Sequence, residues 1–432
     1  MALESKKEGN LLLDLLRDVE LPKMVKVHQL FDTDSYNIAE IPSIVYKELD
    51  SSGISKRIRP GMKIAITCGS RGVANIAEIT KAIVDYIYGL GACPFVFPAM
   101  GSHGGARAEG QREILHSYGV TEAFLGCPII SSMETVHIGD TPDGMKVYLD
   151  KAAFEADGII LCNRVKAHTA FRGPYESGIL KMAVIGMGKQ HGAESVHQDG
   201  FSKLGEMLPV IAKVIFEKSN ILGAVAVVEN AFDQTCLISG MDRDIIFDKE
   251  PELLDYAKKR MARILFDDID VLVVDKIGKD ISGDGMDPNV TGRFCVPHIK
   301  GNLSVQHIAV LDLTENTHGN CNGLGLADVT TKRLVDKIDV DATYPNVLTS
   351  TVLVTPKIPM FTHSDKSCIQ LALKTCNYID REKPRIVHIK DTMHLGEIEV
   401  SESMLEKADS RRDIEVLSNP KDWAFNDDGN LW

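Results

Sequence analysis

Residues 163–201, NRVKAHTAFRGPYESGILKMAVIGMGKQHGAESVHQDGF, collect His168, Lys181, His191 and His197 in one glycine-punctuated segment behind an apolar run. Imidazole is both a proton carrier near neutral pH and the commonest protein metal ligand. A partly desolvated lysine amine can serve as a nucleophile or a covalent tether. Taken singly, each histidine reads as an ordinary satisfied polar group. Taken together, the four point to a metal or cofactor site.

Such residues need elements that present them at one place. The first candidate is KIAITCGSRGVANIAEITKAIVDYIYGLG, where the pattern predicts a short buried strand over 63–67, a tight polar turn over 69–72 and a helix over 74–90. A strand feeding a helix through glycines aims backbone N–H groups at an anion, so Gly69 and Ser70 are candidate phosphate contacts, and Arg71 adds a guanidinium suited to carboxylate or phosphate. The stretch has no GxGxxG, and a plain βα turn fits the spacing equally well. Next, PFVFPAM predicts a strand that runs into GSHGGARAEGQREILHSYG, with a helix over 108–118, so His103 follows a strand's carboxyl end. A third pass predicts a strand over 145–149, a short helix to 156 and a buried strand over 158–162. Open α/β sheets bind ligands beyond the carboxyl ends of their strands, which brings His103, Arg71 and the later histidines to one crevice. Cys68 sits at a strand end, where a functional thiol is expected, and Cys162 reads as a small buried residue.

Further on, the periodicity predicts a helix over 202–218, strands over 221–228 and 271–274, and a helix over 251–266 between them. KIGKDISGDGMDPNVTGRF then marks a polar loop in which Lys276, Lys279 and Arg293 supply positive charge. It reads either as a solvated connector or as a loop closing on an anionic substrate, with Lys279 as the substrate contact. HIAVLDLT, a glycine-rich loop and helix, a strand near Val352, a helix over 365–379 and a strand over 385–388 make a second α/β region. The tail WAFNDDGNLW reads as weakly structured. The expectation is an α/β chain of two domains: a Rossmann-like domain over 1–275 and a smaller α/β domain over 276–432, with the site in the cleft between them.

Composition narrows the class. The 432 residues exceed one hydrophobic core, and 61 acidic against 48 basic side chains give a formal charge of -13, which argues against nucleic acid or an anionic membrane as partner. Nine scattered cysteines without a CxxC pair fit a reducing compartment. No apolar run has the length of a membrane span, so a cytoplasmic protein is expected.

The motifs G-S-H at His103, A-H-T-A-F at His168, and a lysine followed sixteen residues later by a histidine, Lys181 and His197, resemble the nickel-dependent lactate racemase family over essentially the whole chain. The resemblance implies a nickel-pincer nucleotide, the nickel pyridinium-3,5-bisthiocarboxylic acid mononucleotide, tethered to Lys181 and ligated through nickel by His197. It implies His103 and His168 as an acid/base pair that inverts C2 of a 2-hydroxy acid by proton-coupled hydride transfer. Arg71, matching the arginine of the family's D-x-x-R turn, would hold the substrate carboxylate, and the Gly69–Ser70 turn the nucleotide phosphate. Enzymes that make the cofactor would act upstream. Three departures change the pocket wall: Cys68 replaces the aspartate of that turn, Gly104-Gly105 replaces an Arg-Pro pair, and FRGPYESG replaces a glycine-rich segment. With Arg172, Tyr175 and Glu176 added nearby, a differently shaped and charged substrate is expected: some 2-hydroxy acid, not necessarily lactate. Two other readings fit the residues: a zinc-type hydrolase or lyase ligated by His103, His168 and His197, and a cofactor-binding protein without catalysis.

Overall fold

A computed structural model describes residues 10–70, 72–197 and 201–432. The chain divides into two compact units, one of Asp32–Met261 and one of Met1–Phe31 with Ala262–Trp432. This differs from a single boundary after residue 275. The strand Asp268–Ile277, expected to close the first domain, instead pairs in parallel with Ser304–Leu313 on one side and Ile386–Ile389 on the other. Its buried run of valines and leucines suits either sheet, and nothing local in the sequence decides which one it joins.

The Asp32–Met261 unit is built on a five-stranded sheet in the order Cys93–Pro98, Lys63–Cys68, Gly158–Arg164, Ile221–Glu229, Thr235–Asp242. The first four strands are parallel and the last is antiparallel to its neighbour. Apolar runs such as IAIT, FVF and IILC are buried on both faces, as a sheet covered by helices on both sides requires. Alternate residues serve opposite cores. Ala65, Phe95, Phe97, Ile159 and Leu161 pack with the helices Phe201–Lys218 and Ile246–Arg260, whereas Ile64, Ile66, Val96, Ile160 and Cys162 pack with Ile41–Ser52 and Ile76–Gly89. The chain leaves Lys63–Cys68 toward Cys93–Pro98 on one side and returns to Gly158–Arg164 on the other, which sets the switch point of a doubly wound sheet there. The segment expected as a third sheet strand, Lys146–Asp150, forms a separate hairpin with Thr135–Asp140.

The other unit holds an eight-stranded mixed sheet in the order Met360–Thr362, Val329–Thr331, Ser304–Leu313, Asp268–Ile277, Ile386–Ile389, Glu397–Ser401, Met24–Gln29, Ile414–Val416. The first five strands are parallel and the rest antiparallel. The strand expected near Val352 is a turn, and the edge strand lies at Met360–Thr362. The C-terminal tail is docked, not loose. Trp423, Phe425 and Leu431 pack on the core, the Trp423 indole N–H donates to the Pro22 carbonyl at 3.0 Å, and the Leu431 N–H donates to Asp365 at 2.9 Å. Among the described residues no helix is long and apolar enough to cross a membrane.

Candidate active site

At the switch point, Cys68 ends its strand and Gly69–Ser70 turn away from it. A Cβ on Gly69 would come within 3.1 Å of Met182 Cε and 3.5 Å of Asn163 Oδ1, so glycine lets this turn approach the residue that follows Lys181. The Tyr118 hydroxyl donates to the Ser70 carbonyl at 2.9 Å. Beyond the turn, the Ala74 N–H donates to Glu229 Oε1 at 2.6 Å, and Glu229 also pairs with Arg164. Arg71 lies outside the described residues. Cys68 is corrected from its expected role: burial pushes its thiol up to about 12, so it is a core residue and not a nucleophile.

His103 follows the strand Cys93–Pro98 in a loop fixed by close backbone packing. Gly104 has φ +66°, and a Cβ there would lie 2.5 Å from the Gly110 carbonyl carbon. This explains why glycine stands at 104, where the resemblance led one to expect an arginine. The His103 ring donates from Nδ1 to the Met100 carbonyl at 2.7 Å, because a carbonyl can only accept. The Gln111 amide donates to the carbonyls of Gly101 at 2.9 Å and His103 at 3.2 Å.

Under that loop sits a group absent from the sequence reading. Lys189 is 0% exposed and Asp150 1% exposed. The Lys189 ammonium lies 3.2 Å from Asp150 Oδ2, and it donates to Gln111 Oε1 at 3.2 Å and to the Pro98 carbonyl. Burial lowers the Lys189 pKa and raises that of Asp150, and each is partly restored by its partner. In sequence, a lysine within GMGKQHG reads as a solvated surface charge, so periodicity gave no sign of it.

His168 follows the strand Gly158–Arg164. Lys166 and Ser177 exchange backbone hydrogen bonds of 2.8 and 3.2 Å, closing the loop between them. Buried Glu176 organises it, accepting from the His168 N–H at 2.7 Å and pairing with Lys258 at 2.8 Å and Arg172 at 3.2 Å. Glu176 and Arg172, anticipated as pocket-wall groups, thus pair with each other. The His168 ring accepts at Nδ1 from the Ala170 N–H at 2.9 Å and lies 4.2 Å from the Phe171 ring.

Lys181 ends the short helix Ile179–Lys181, which passes directly into the π-helical turn Met182–Gly186. Such turns are uncommon and recur at functional sites. Glu250 Oε2 accepts from the Leu180 N–H at 2.9 Å, and burial pushes this carboxyl up to about 7 against those backbone hydrogen bonds. The Gly101 N–H meets the Gly186 carbonyl at 3.5 Å, and the Ala99 N–H donates to the Cys68 carbonyl at 2.8 Å. The Asn163 amide donates to the Gly178 carbonyl at 2.9 Å. By these bonds the segments carrying Gly69–Ser70, His103, His168 and Lys181 meet beyond the carboxyl ends of three adjacent parallel strands. His197 ends the helix Lys189–His197, but its side chain is outside the described residues, so the third ligand of a histidine zinc site is too. His191 stands exposed on the same helix, its Nδ1 2.9 Å from Thr135 Oγ1. Lys279 belongs to the other unit, where its ammonium donates to the Gly283 carbonyl at 2.6 Å within its own loop. Arg293, expected to add positive charge there, pairs with Asp328 and donates to the Gln306 carbonyl at 2.9 Å.

Residues 16–204 match the family model described as the lactate racemase N-terminal domain. No curated protein sequence matches the chain. Among solved structures, a structural-genomics crystal structure of a Thermotoga maritima protein is similar with a TM-score of 0.52 at 12% identity, over 82% of this chain and 94% of that one. The lactate racemase apoprotein from Thermoanaerobacterium thermosaccharolyticum aligns with a TM-score of 0.46 at 11% identity, over 90% and 96%.

Proposed function

We propose that this chain, whose residues 16–204 match the family model described as the lactate racemase N-terminal domain, is an isomerase inverting C2 of a 2-hydroxy acid with a nickel-pincer nucleotide. The observation that supports this reading is the convergence of the Gly69–Ser70 turn with the His103, His168 and Lys181 segments at the switch point.

The residues that would hold such a group lie on adjoining segments: glycine at 69 lets its turn approach Met182, where a Cβ would come within 3.1 Å of Cε, and Lys181 stands next to Met182 at a helical junction. Lys181 would carry the tether, the Gly69–Ser70 N–H groups the phosphate, and His197 the nickel. When bound, the cofactor supplies a place for the C2 hydride to go and return from. The protein does the remainder. Glu250 holds the start of the Lys181 helix, Tyr118 holds Ser70, and Gln111 with Lys189 holds the His103 loop. His103 and His168 would serve as the acid/base pair for the substrate hydroxyl, whose proton must leave and return as C2 inverts. Arg71 takes the substrate carboxylate by a charge-assisted contact worth about 1.5–3 kcal/mol. The substrate class is a 2-hydroxy acid, not restricted to lactate.

The test is to produce the chain with nickel and the cofactor-synthesis enzymes, then measure intact mass, nickel content and chiral interconversion over a panel of 2-hydroxy acids. A covalent adduct lost in Lys181→Ala, with nickel and inversion of one panel member, is expected. An unmodified, nickel-free chain that inverts none of the panel overturns the reading.

A further inference from the structure

One stretch of the Ala262–Trp432 unit turns apolar side chains outward. On the helix Val340–Ser350, Thr343 and Val347 are buried, and the Thr343 hydroxyl donates to the Asp339 carbonyl at 2.7 Å. Val340, Tyr344 and Leu348 recur every four residues on another stripe of the same helix, and that stripe faces solvent. Leu353 and Ile358 in the following turn, and Met360 and Phe361 on the strand Met360–Thr362, are exposed as well. The turn is fixed rather than loose: the Thr355 carbonyl accepts from the Gly323 N–H at 2.9 Å and the Gly325 N–H at 3.0 Å, and its hydroxyl donates to Asn322 at 2.8 Å. These side chains are 39 to 77% exposed and together present roughly 700 Å² of apolar surface, where the largest patch of a monomer is about 300–600 Å². A stable dimer takes about 800 Å² from each partner, so this one segment supplies most of a partner's share.

We infer that residues 340–361 form a twofold interface with a second copy of this chain. Met360–Thr362 is the outermost strand of the eight-stranded sheet and pairs in parallel with Val329–Thr331. A sheet edge offers backbone N–H and C=O groups to another strand, and an apolar edge invites that pairing. Charge selects the occupant. The whole chain carries -13, so two copies repel over most of their surface. Residues 340–361 hold a single acid, Asp341, and a single base, Lys357, both exposed and near opposite ends of the segment. This face is therefore neutral, and two like-charged copies can meet there. In a twofold contact residue i meets j while j meets i, which sets Asp341 of one copy against Lys357 of the other.

Sedimentation velocity of the full chain at about 1–100 μM reads the assembly directly, and a species of twice the chain mass is expected. Leu348→Glu combined with Leu353→Glu alters only exposed positions. The thermal midpoint should hold while the dimer weakens by about tenfold or more. Asp341→Lys and Lys357→Asp should each weaken it by roughly tenfold, and the two together should restore it, because the swap re-forms the opposite-charge pairing. Should the leucine variant unfold, the charge swaps decide alone. A wild-type chain that stays monomeric throughout the range overturns the inference and leaves the patch to a different partner. A dimer unmoved by the leucine variant uses another face and overturns it too. Single charge swaps without effect overturn the twofold arrangement.

Discussion

Lys189 carries a charge with no exposed surface, at a left-handed backbone position of φ +53°, and its partner Asp150 is equally enclosed. Removing one member of a buried ion pair leaves the other charge uncompensated, at a cost of about 3–5 kcal/mol. Lys189→Met should therefore lower the unfolding free energy by that order, and Lys189→Met with Asp150→Leu should recover much of it. A single variant with an unchanged denaturation midpoint would show that the pair does not hold the loop. The same residue reaches the His103 segment through Gln111, so Gln111→Leu should reduce turnover more than it reduces stability. Comparing kinetics with the denaturation midpoint separates the two effects. None of this was legible in the sequence, because burial of a lone lysine depends on partners from residues 98, 111 and 150. The positions of His103 and His168 after strands were legible, since an apolar run ending in a polar turn marks a strand's carboxyl end.

At the scale of elements, the α-to-π junction after Lys181 is held by glycines with no room for a side chain. A Cβ at Gly186 would lie 2.7 Å from the Ala99 carbonyl oxygen and 2.6 Å from Met182 Sδ, and one at Gly178 would meet Glu250 Oε1 at 2.0 Å. Gly186→Ala should cost roughly 1–3 kcal/mol by overpacking and shift the Lys181 segment from the Gly69–Ser70 turn. Thermal unfolding and cofactor uptake measured together check this, and an alanine variant with normal values for both would refute it. The strand–turn–helix units that build the sheet could be read from apolar runs and glycine turns, often to within a few residues. What escaped was pairing. The Thr235–Asp242 strand, the Thr135–Asp150 hairpin and the tail carrying Trp423 are fixed by neighbours distant in sequence, which local periodicity does not report.

At the scale of the whole molecule, each unit contains a titrating group with a raised pKa. Burial holds Glu250 neutral up to about 7 from an ordinary 4.5. Burial lowers His388, but hydrogen bonds to Asp275 at 2.6 Å and Glu399 at 2.8 Å outweigh it and carry it to about 9 from 6.5. A raised pKa stabilises the fold below the unfolded value and is lost as pH climbs through the folded one. The Asp32–Met261 unit should thus lose stability between about pH 4.5 and 7, and the other unit between about 6.5 and 9, each on the order of 3 kcal/mol. Calorimetry across that range, with Glu250→Gln and His388→Gln each flattening its own window, tests the assignment; a profile unchanged by either variant refutes it. The order of the chain adds a consequence for biosynthesis. Asp32–Met261 is an insertion whose two ends are clipped by the Arg260–Asp32 ion pair, so it can fold while the ribosome is still at work. The strand Met24–Gln29 precedes that insertion yet pairs with Glu397–Ser401 and Ile414–Val416, so it waits through synthesis of the whole insertion and beyond before it has a partner. Through that interval its unpaired edge is the part of the nascent chain that a holding chaperone has most reason to cover.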